Sequence, residues 1–233
     1  MADEADSPES RTSVYTTLAA GPGFRSEIEV KRSRFITVLA RTPDEEAARA
    51  VLAGLRKKFH DARHHCSAFI LGPDRDVQRS NDDGEPSGTA GIPMLEALLK
   101  RETAPGVADL SDVSAVVVRY FGGILLGAGG LVRAYSESVS AALELAPLVR
   151  RSRLRICAVP VQHAAAGRLE NDLRAAGYVV AETRYEARTT VLRLALPDNP
   201  GELARAADRV AALSAGSASL LPGETAWIDV PIS

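Results

Sequence analysis

The stretch from Val113 to Tyr135 limits the fold of this chain more than any other. It opens with Val113-Ser114-Ala115-Val116-Val117-Val118, an almost unbroken apolar run of strand length. Such a run belongs in a strand buried on both faces. Gly122-Gly123-Ile124-Leu125-Leu126-Gly127-Ala128-Gly129-Gly130 follows, five glycines in nine positions. Leu131, Ala134, Ser138, Ala141, Ala142 and Leu145 then recur at helical spacing until Pro147 ends the helix. Strand, glycine-rich turn and helix in direct succession define a domain that mixes sheet and helix.

The neighbouring segments fit that frame. Arg34–Ala40 is rich in β-formers, and Phe24–Val30 reads as an edge strand or a lead-in. Thr42-Pro43-Asp44-Glu45 reads as a helix start, with Thr42 accepting from first-turn amides, Pro43 in the first position and Glu45 completing a capping box. Ala47, Val51, Leu55 and Phe59 give the helix that follows one apolar face. Cys66–Leu71 reads as a strand and Met94–Lys100 as a short helix.

Composition shifts at Arg150-Arg151-Ser152-Arg153, where the domain boundary is placed; the run Arg150–Arg155, four arginines in six positions, reads as a solvated linker or as a stretch that tracks a phosphate backbone. Beyond it come a strand (Leu154–Val161), a helix closed by Gly177, two alternating strands (Tyr178–Ala187 and Thr189–Leu196), a helix capped by Asp198-Asn199-Pro200-Gly201-Glu202, and a last strand at Ala226–Val230. The order βαββαβ is that of a ferredoxin-like domain. The fold class is therefore α+β, with a disordered tail at 1–22, acidic over its first eleven residues, an N-terminal domain at 23–150 and a C-terminal domain at 151–233.

The 233 residues suffice for two small cores. The formal net charge of -2 excludes a chain-wide basic field. Asp3, Glu4, Asp6 and Glu9 lie in the first ten residues; setting them aside from 30 acids leaves 26 against 28 basic residues, a net of +2 for the rest. Partner choice must therefore rest on local patches. Cys66 and Cys157 are too few and too far apart for a disulfide framework, and no apolar run approaches the roughly 20 residues that span a bilayer. A cytoplasmic protein with reduced thiols and no membrane partner is expected.

Two tracts carry the chemical signal. Asp82-Asp83-Gly84-Glu85-Pro86-Ser87-Gly88-Thr89-Ala90-Gly91 places three carboxylates in four positions. One reading is a loop whose acids favour the positive end of the following helix. The others are a divalent-cation site and a general acid–base pair of Asp83 and Glu85. The spacing is not that of a calcium loop. The glycine turn is either a cradle for phosphate at a helix N-terminus or a device for tight packing and positive φ; it matches neither the Walker nor the dinucleotide pattern. Arg119, Tyr120, Phe121, Arg133 and Tyr135 flank it, arginines beside aromatics that suit a phosphate backbone and unpaired bases. His64-His65-Cys66 lacks the second ligand pair of a structural zinc site, and on a strand His64 and Cys66 share a side that His65 does not. No metal and no cofactor are expected.

The blocks Asp83–Gly91 with Pro93, and Arg119–Gly123 with Leu126–Tyr135, resemble the YigZ/IMPACT family over about Gly23–Arg150. That resemblance implies an N-terminal βαβ domain of the kind shared by ribosomal small-subunit proteins and translation GTPases, and a C-terminal domain similar to the last domain of elongation factor G. It implies a non-catalytic regulator of translation that contacts RNA, the ribosome or a regulatory protein. Two departures are His65, where relatives commonly carry Asn, and Leu125, where they often carry Lys. The candidate binding residues on the two tracts are Gly84, Ser87, Gly88, Thr89, Arg119, Tyr120, Gly122, Gly123, Gly127, Gly129, Gly130, Arg133 and Tyr135. The competing reading is an enzyme on a small phosphorylated or nucleotide ligand with Asp83 and Glu85 as its working acids; a third is an adaptor using the C-terminal sheet.

Overall fold

The computed structural model describes residues 12–232, which divide into two compact units, the second being Arg151–Val230 and the first the residues on either side of it. The first contains β1 (Val14–Leu18), β2 (Phe24–Val30), β3 (Ser33–Arg41), α1 (Glu45–Lys58), β4 (His64–Leu71), β5 (Val77–Asn81), α2 (Gly91–Leu99), β6 (Val113–Tyr120) and α3 (Ala128–Leu145). Its main sheet has the order β2-β3-β6-β4-β5, with every neighbouring pair antiparallel. Because β3 and β4 both run against β6, they run parallel to each other; α1 joins them as a split βαβ unit with β6 inserted between.

That placement explains the apolar run. Every residue of Val113–Arg119 is buried. Val113, Ala115 and Val117 pack with Phe35, Leu39, Met94, Tyr135 and Val139 on the side of α2 and α3. Val116 and Val118 pack on the opposite side with Ile36, Leu55 and Phe59, beneath α1. Alternate side chains thus serve two cores.

Three expectations are corrected. Residues 12–22 are not a disordered tail: they hold β1, with Tyr15 and Leu18 buried. The Thr16 amide donates to Asp109 O, Ser111 N donates back to Thr16 O, and the Tyr15 hydroxyl donates to Asp112. The expected disorder of residues 1–11 lies outside the described residues. Asp44, not Thr42, caps α1, accepting from Ala47 N at 2.7 Å. Thr42 is instead buried at the end of β3, its amide bonded to Asp112 O. The arginine run is not a linker but part of one strand, β7 (Leu148–Val161), in which Arg155 makes a two-pronged pair with Asp198 and a bond to Gly223 O.

The second unit continues with α4 (His163–Ala175), β8 (Val179–Tyr185), β9 (Thr190–Leu196), α5 (Pro200–Leu213) and β10 (Leu221–Val230). Within it β7 pairs with both β10 and β9, and β9 with β8, giving β10-β7-β9-β8. That is the ferredoxin-like order. One core joins Cys157, Val159, Leu192 and Leu194 of the sheet to Leu169, Leu173, Ala206 and Val210 of the helices. Asn199 caps α5 through Glu202 N, and Gly177 ends α4 at φ 89°. Among the described residues no helix is long and apolar enough to cross a membrane.

Candidate functional site

One end of the first sheet gathers the β2–β3 turn, the start of β4, the loop after β5, the end of β6 and the start of α3. The register fixes this, since Arg34 pairs with Tyr120 and His64 with Arg119. Both tracts singled out in the sequence therefore meet here.

The acidic tract is organised around Asp82. One of its carboxylate oxygens accepts from Ala90 N (3.0 Å) and Gly91 N (2.7 Å), the other from Gly88 N (2.8 Å). Burial works to raise the Asp82 carboxyl, but the three amides outweigh it and hold the group below the usual carboxylate range. The loop thereby closes on the N-terminus of α2. Thr89 Oγ1 donates to Pro86 O, Gly84 and Gly88 supply positive φ, and Ser87 is exposed. A methyl group on Gly91 would lie 2.7 Å from Asn81 N, so the close crossing needs glycine.

Asp83 and Glu85, the two candidate working acids, engage different partners. Asp83 accepts from Arg56 and from His65 N, each at 2.6 Å, which ties the loop to α1 and β4. Glu85 turns inward, its side chain 4% exposed, and one oxygen accepts from Arg119 (2.6 Å) and from the Tyr135 hydroxyl (2.8 Å). Cys66 continues the chain, with its sulfur 3.3 Å from Tyr135 Oη and 3.0 Å from Asp82 O. Burial, reinforced by the carboxylates of Glu85, Asp83 and Asp82, pushes the Cys66 thiol up to about 12 against the Tyr135 hydrogen bond. Burial likewise raises the Tyr135 hydroxyl well above its ordinary value, so it stays a donor. Among the described residues no group of three His, Cys, Asp or Glu side chains could hold a metal ion.

The flanking residues are not the open face that the sequence led us to expect. Arg119 is 6% exposed and Tyr135 is fully buried. The Arg119 guanidinium lies 5.4 and 5.7 Å from the ring centroids of Phe35 and Phe121 while it pairs with Glu85. Tyr120 points to the opposite side of β6, where its hydroxyl donates to Asp61 and the Arg34 guanidinium lies over its ring. Of the five flanking residues, Phe121 and Arg133 are the exposed ones.

The five glycines divide by role. Gly122 passes so close to the β2–β3 turn that a methyl group would sit 2.0 Å from the carbonyl carbon of Arg32, and its amide donates to Ser33 Oγ. Gly130 abuts the Leu126 side chain. Gly123 and Gly127 have positive φ (84° and 72°), the latter as N-cap of α3. Gly129 has neither constraint, since a methyl group there would meet nothing within 4 Å. Packing and positive φ thus account for four of the five glycines.

Between the tracts lies a cavity of about 340 Å³. Glu85, Arg119 and His64 supply its polar lining, Phe121, Leu126 and Leu131 much of its apolar wall, and Gly127 and Ala128 one side. His64 Nδ1 faces Asp83 O at 2.9 Å; a carbonyl only accepts, so Nδ1 carries the proton. His64 Nε2 is 3.9 Å from Glu85 Oε1. His65 is buried on the other side against Phe59 O and adds nothing here. His64, Arg63 and the Lys31-Arg32 turn were absent from the sequence-derived site; the alternation of His64 and Cys66 was the one signal for the first.

Residues 31–143 match the Impact N-terminal domain. The chain is 43% identical over 173 residues to the IMPACT family member YvyE of Bacillus subtilis, covering 74% of this chain and 75% of that protein. It is 40% identical over 195 residues to the IMPACT family member YigZ of Escherichia coli, covering 83% of this chain and 91% of the relative. A crystal structure of a hypothetical protein, 37% identical, superimposes with a TM-score of 0.57 over 91% of this chain and 98% of that one. With the domain match and identities of this size over most of its length, this chain is a member of the IMPACT family.

Proposed function

We propose that this protein is a non-catalytic, cytoplasmic, translation-associated binding protein that takes single-stranded RNA on the rim of the first unit. One observation carries this reading. The two-residue turn between Val30 and Ser33 is Lys31-Arg32, with both residues left-handed at φ 48° and 65°. Turns of this kind favour Asn-Gly, and a non-glycine residue in the left-handed region is strained. Strain of that sort persists only where the surroundings hold it and is commonest at binding and active sites. Here it presents two exposed cations beside Gly122, next to Phe121 (48% exposed) and Leu125 (83% exposed).

Lys31, Arg32, Arg63 and Arg133 are exposed and have no ion-pair partner among the described residues. The three carboxylates of the acidic tract are engaged internally, so the rim is basic although the tract that borders it is acidic. Cations around an exposed aromatic suit phosphate and an unstacked base. The test is binding of a single-stranded oligoribonucleotide across a salt series. Four phosphate contacts give a slope of about −2.8 in log K against log salt, at roughly −0.7 per contact. A flat salt response, or binding unchanged by Lys31→Asn with Arg32→Gly, overturns the reading.

A further inference from the structure

The rim offers cations to phosphates and Phe121 to a base, and neither tells one base from another. The cavity described above belongs to the same surface, since Arg63, Phe121 and Leu125 line it too. Its remaining lining is what can tell bases apart.

Glu85 is the informative residue. It is 8% exposed, and both of its hydrogen bonds, from Arg119 and from Tyr135, end on Oε1. Oε2 accepts from nothing among the described residues, and it is not sealed from solvent. Because Glu85 lines the cavity, that oxygen is open to it. A buried acceptor without a donor calls for a group that brings one. The second polar atom is His64 Nε2. With the Nδ1 proton given to Asp83 O, Nε2 of the neutral ring is an acceptor, and it too has no hydrogen-bond donor among the described residues. Arg119 directs Nη1 to Glu85 and Nη2 to Ser33, so the floor presents acceptors. Leu126 and Leu131 join Phe121 in an apolar wall. A volume of about 340 Å³ lies at the lower end of the range for small-molecule sites, about 300–1,000 Å³, and suits a single base.

We infer that this cavity is the base pocket of the rim and that it selects guanine, an inference that rests on the RNA reading above. A base taken out of its stack is read by hydrogen bonds to its Watson–Crick edge while apolar side chains hold its faces. Guanine's edge has two adjacent donors, N1–H and the 2-amino group, and they go to Glu85 Oε2 and His64 Nε2. Its O6, the one acceptor on that edge, is left to Arg63, the exposed cation of the lining. Adenine and cytosine each put a ring-nitrogen acceptor beside the amino group, and uracil sets its N3–H between two carbonyls. Those acceptors would meet Glu85 or His64 with no proton between them, which costs affinity. A bond to a carboxylate is charge-assisted, so Glu85 contributes most of the preference.

The experiment titrates the intact protein with GMP, AMP and UMP, following backbone amide resonances, and with oligouridylate that carries one central guanine, one hypoxanthine or neither. GMP should shift Leu125–Ala128 and bind at least tenfold more tightly than AMP or UMP. One guanine should raise the affinity of oligouridylate at least tenfold, and hypoxanthine, which lacks only the 2-amino group, should give at least threefold less. The guanine strand should in turn bind at least tenfold more tightly than GMP, because it adds phosphate contacts on the rim. Glu85 is not the position to change, since it holds Arg119. Ala128→Phe instead puts a ring into the cavity from an exposed position. That variant should fold, lose the guanine preference, and keep the affinity and salt slope of the parent for plain oligouridylate. The pocket is overturned if guanine adds nothing to a strand that binds with the expected slope, if AMP or UMP binds as well as GMP, or if Ala128→Phe keeps the preference. GMP binding as tightly as the guanine strand overturns RNA as the source of the base. A flat salt response with GMP still shifting these amides overturns the rim and leaves the guanine site standing, so the two readings fail separately.

Discussion

Replacing Lys31 by Asn and Arg32 by Gly tests whether the β2–β3 turn is optimised for stability or for its charges. Left-handed backbone costs a non-glycine residue about 1–2 kcal/mol. Glycine at position 32 relieves that cost and adds about 0.5–1 kcal/mol of unfolded-chain entropy to be lost on folding. The net gain at Arg32 is therefore about 1 kcal/mol, and Asn at position 31, tolerant of this region, adds a few tenths. The close crossing of Gly122 over the Arg32 backbone survives, since it involves main-chain atoms. In urea the unfolding free energy should rise by about 1–1.5 kcal/mol, and the melting temperature by about 2–6 °C for a chain of this size. RNA affinity should move the other way. Two fewer phosphate contacts reduce the salt slope by about 1.4, to roughly half the parent value. A double variant that is no more stable would refute the strain. One that is more stable and binds RNA with an undiminished slope would refute the functional reason for keeping that strain.

Other consequences follow from the interior of the site. Because the Asp82 carboxyl is held below its ordinary range, its contribution is complete above the unfolded-state value near 4 and is lost as pH falls through the lower folded value. Asp82→Asn should cost about 1.5–3 kcal/mol at neutral pH and progressively less in acid, read by urea unfolding across a pH series. Glu85→Gln alone leaves Arg119 buried beside a neutral amide and should cost about 3–5 kcal/mol, whereas Glu85→Gln with Arg119→Met should recover most of that; double-mutant unfolding data that are simply additive would show no coupling. Cys66, its thiol pushed up to about 12 and fully buried, should react with a thiol reagent only at the rate of local opening, and Tyr135→Phe should not make it reactive at neutral pH.

What the sequence made legible was set by periodicity. Helices with one apolar face, the doubly buried β6 and the βαββαβ rhythm announce themselves because burial alternates with a fixed period. β5, Val77-Gln78-Arg79-Ser80-Asn81, did not, since four of its five residues are exposed and no alternation survives at a polar edge. β1 was lost for another reason: its anchors, Asp109 and Asp112, lie nearly a hundred residues away. The same limit governed the site. Its place was readable from glycines and acids in an unusual order. Its roles were not, because Glu85 finds Arg119 across 34 positions and Tyr135 across 50. Arg119 and Tyr135 read as exposed recognition groups until their partner is known, and then they read as core. The Thr42 cap failed on a smaller scale: two acceptors stood near the helix start, and the end of β3 took one of them.

That change of roles also decides the sign of the surface. Three carboxylates in four positions would repel RNA if they faced water. Asp82 is instead enclosed by three amides, Asp83 by Arg56 and the His65 amide, and Glu85 by Arg119 and Tyr135. Each is satisfied by donors from a different part of the fold, so the loop is held at both ends and in its middle, and its negative charge is offset where it would otherwise oppose an anion. Lys31, Arg32, Arg63, Arg133 and Phe121 then stand exposed around this end of the sheet, the cations outnumbering the exposed acids Glu29 and Asp61. Buried ion pairs are poor sources of stability compared with apolar packing. The Glu85–Arg119 pair is better understood as the device that turns the third acid of the tract inward, away from the surface that the loop borders.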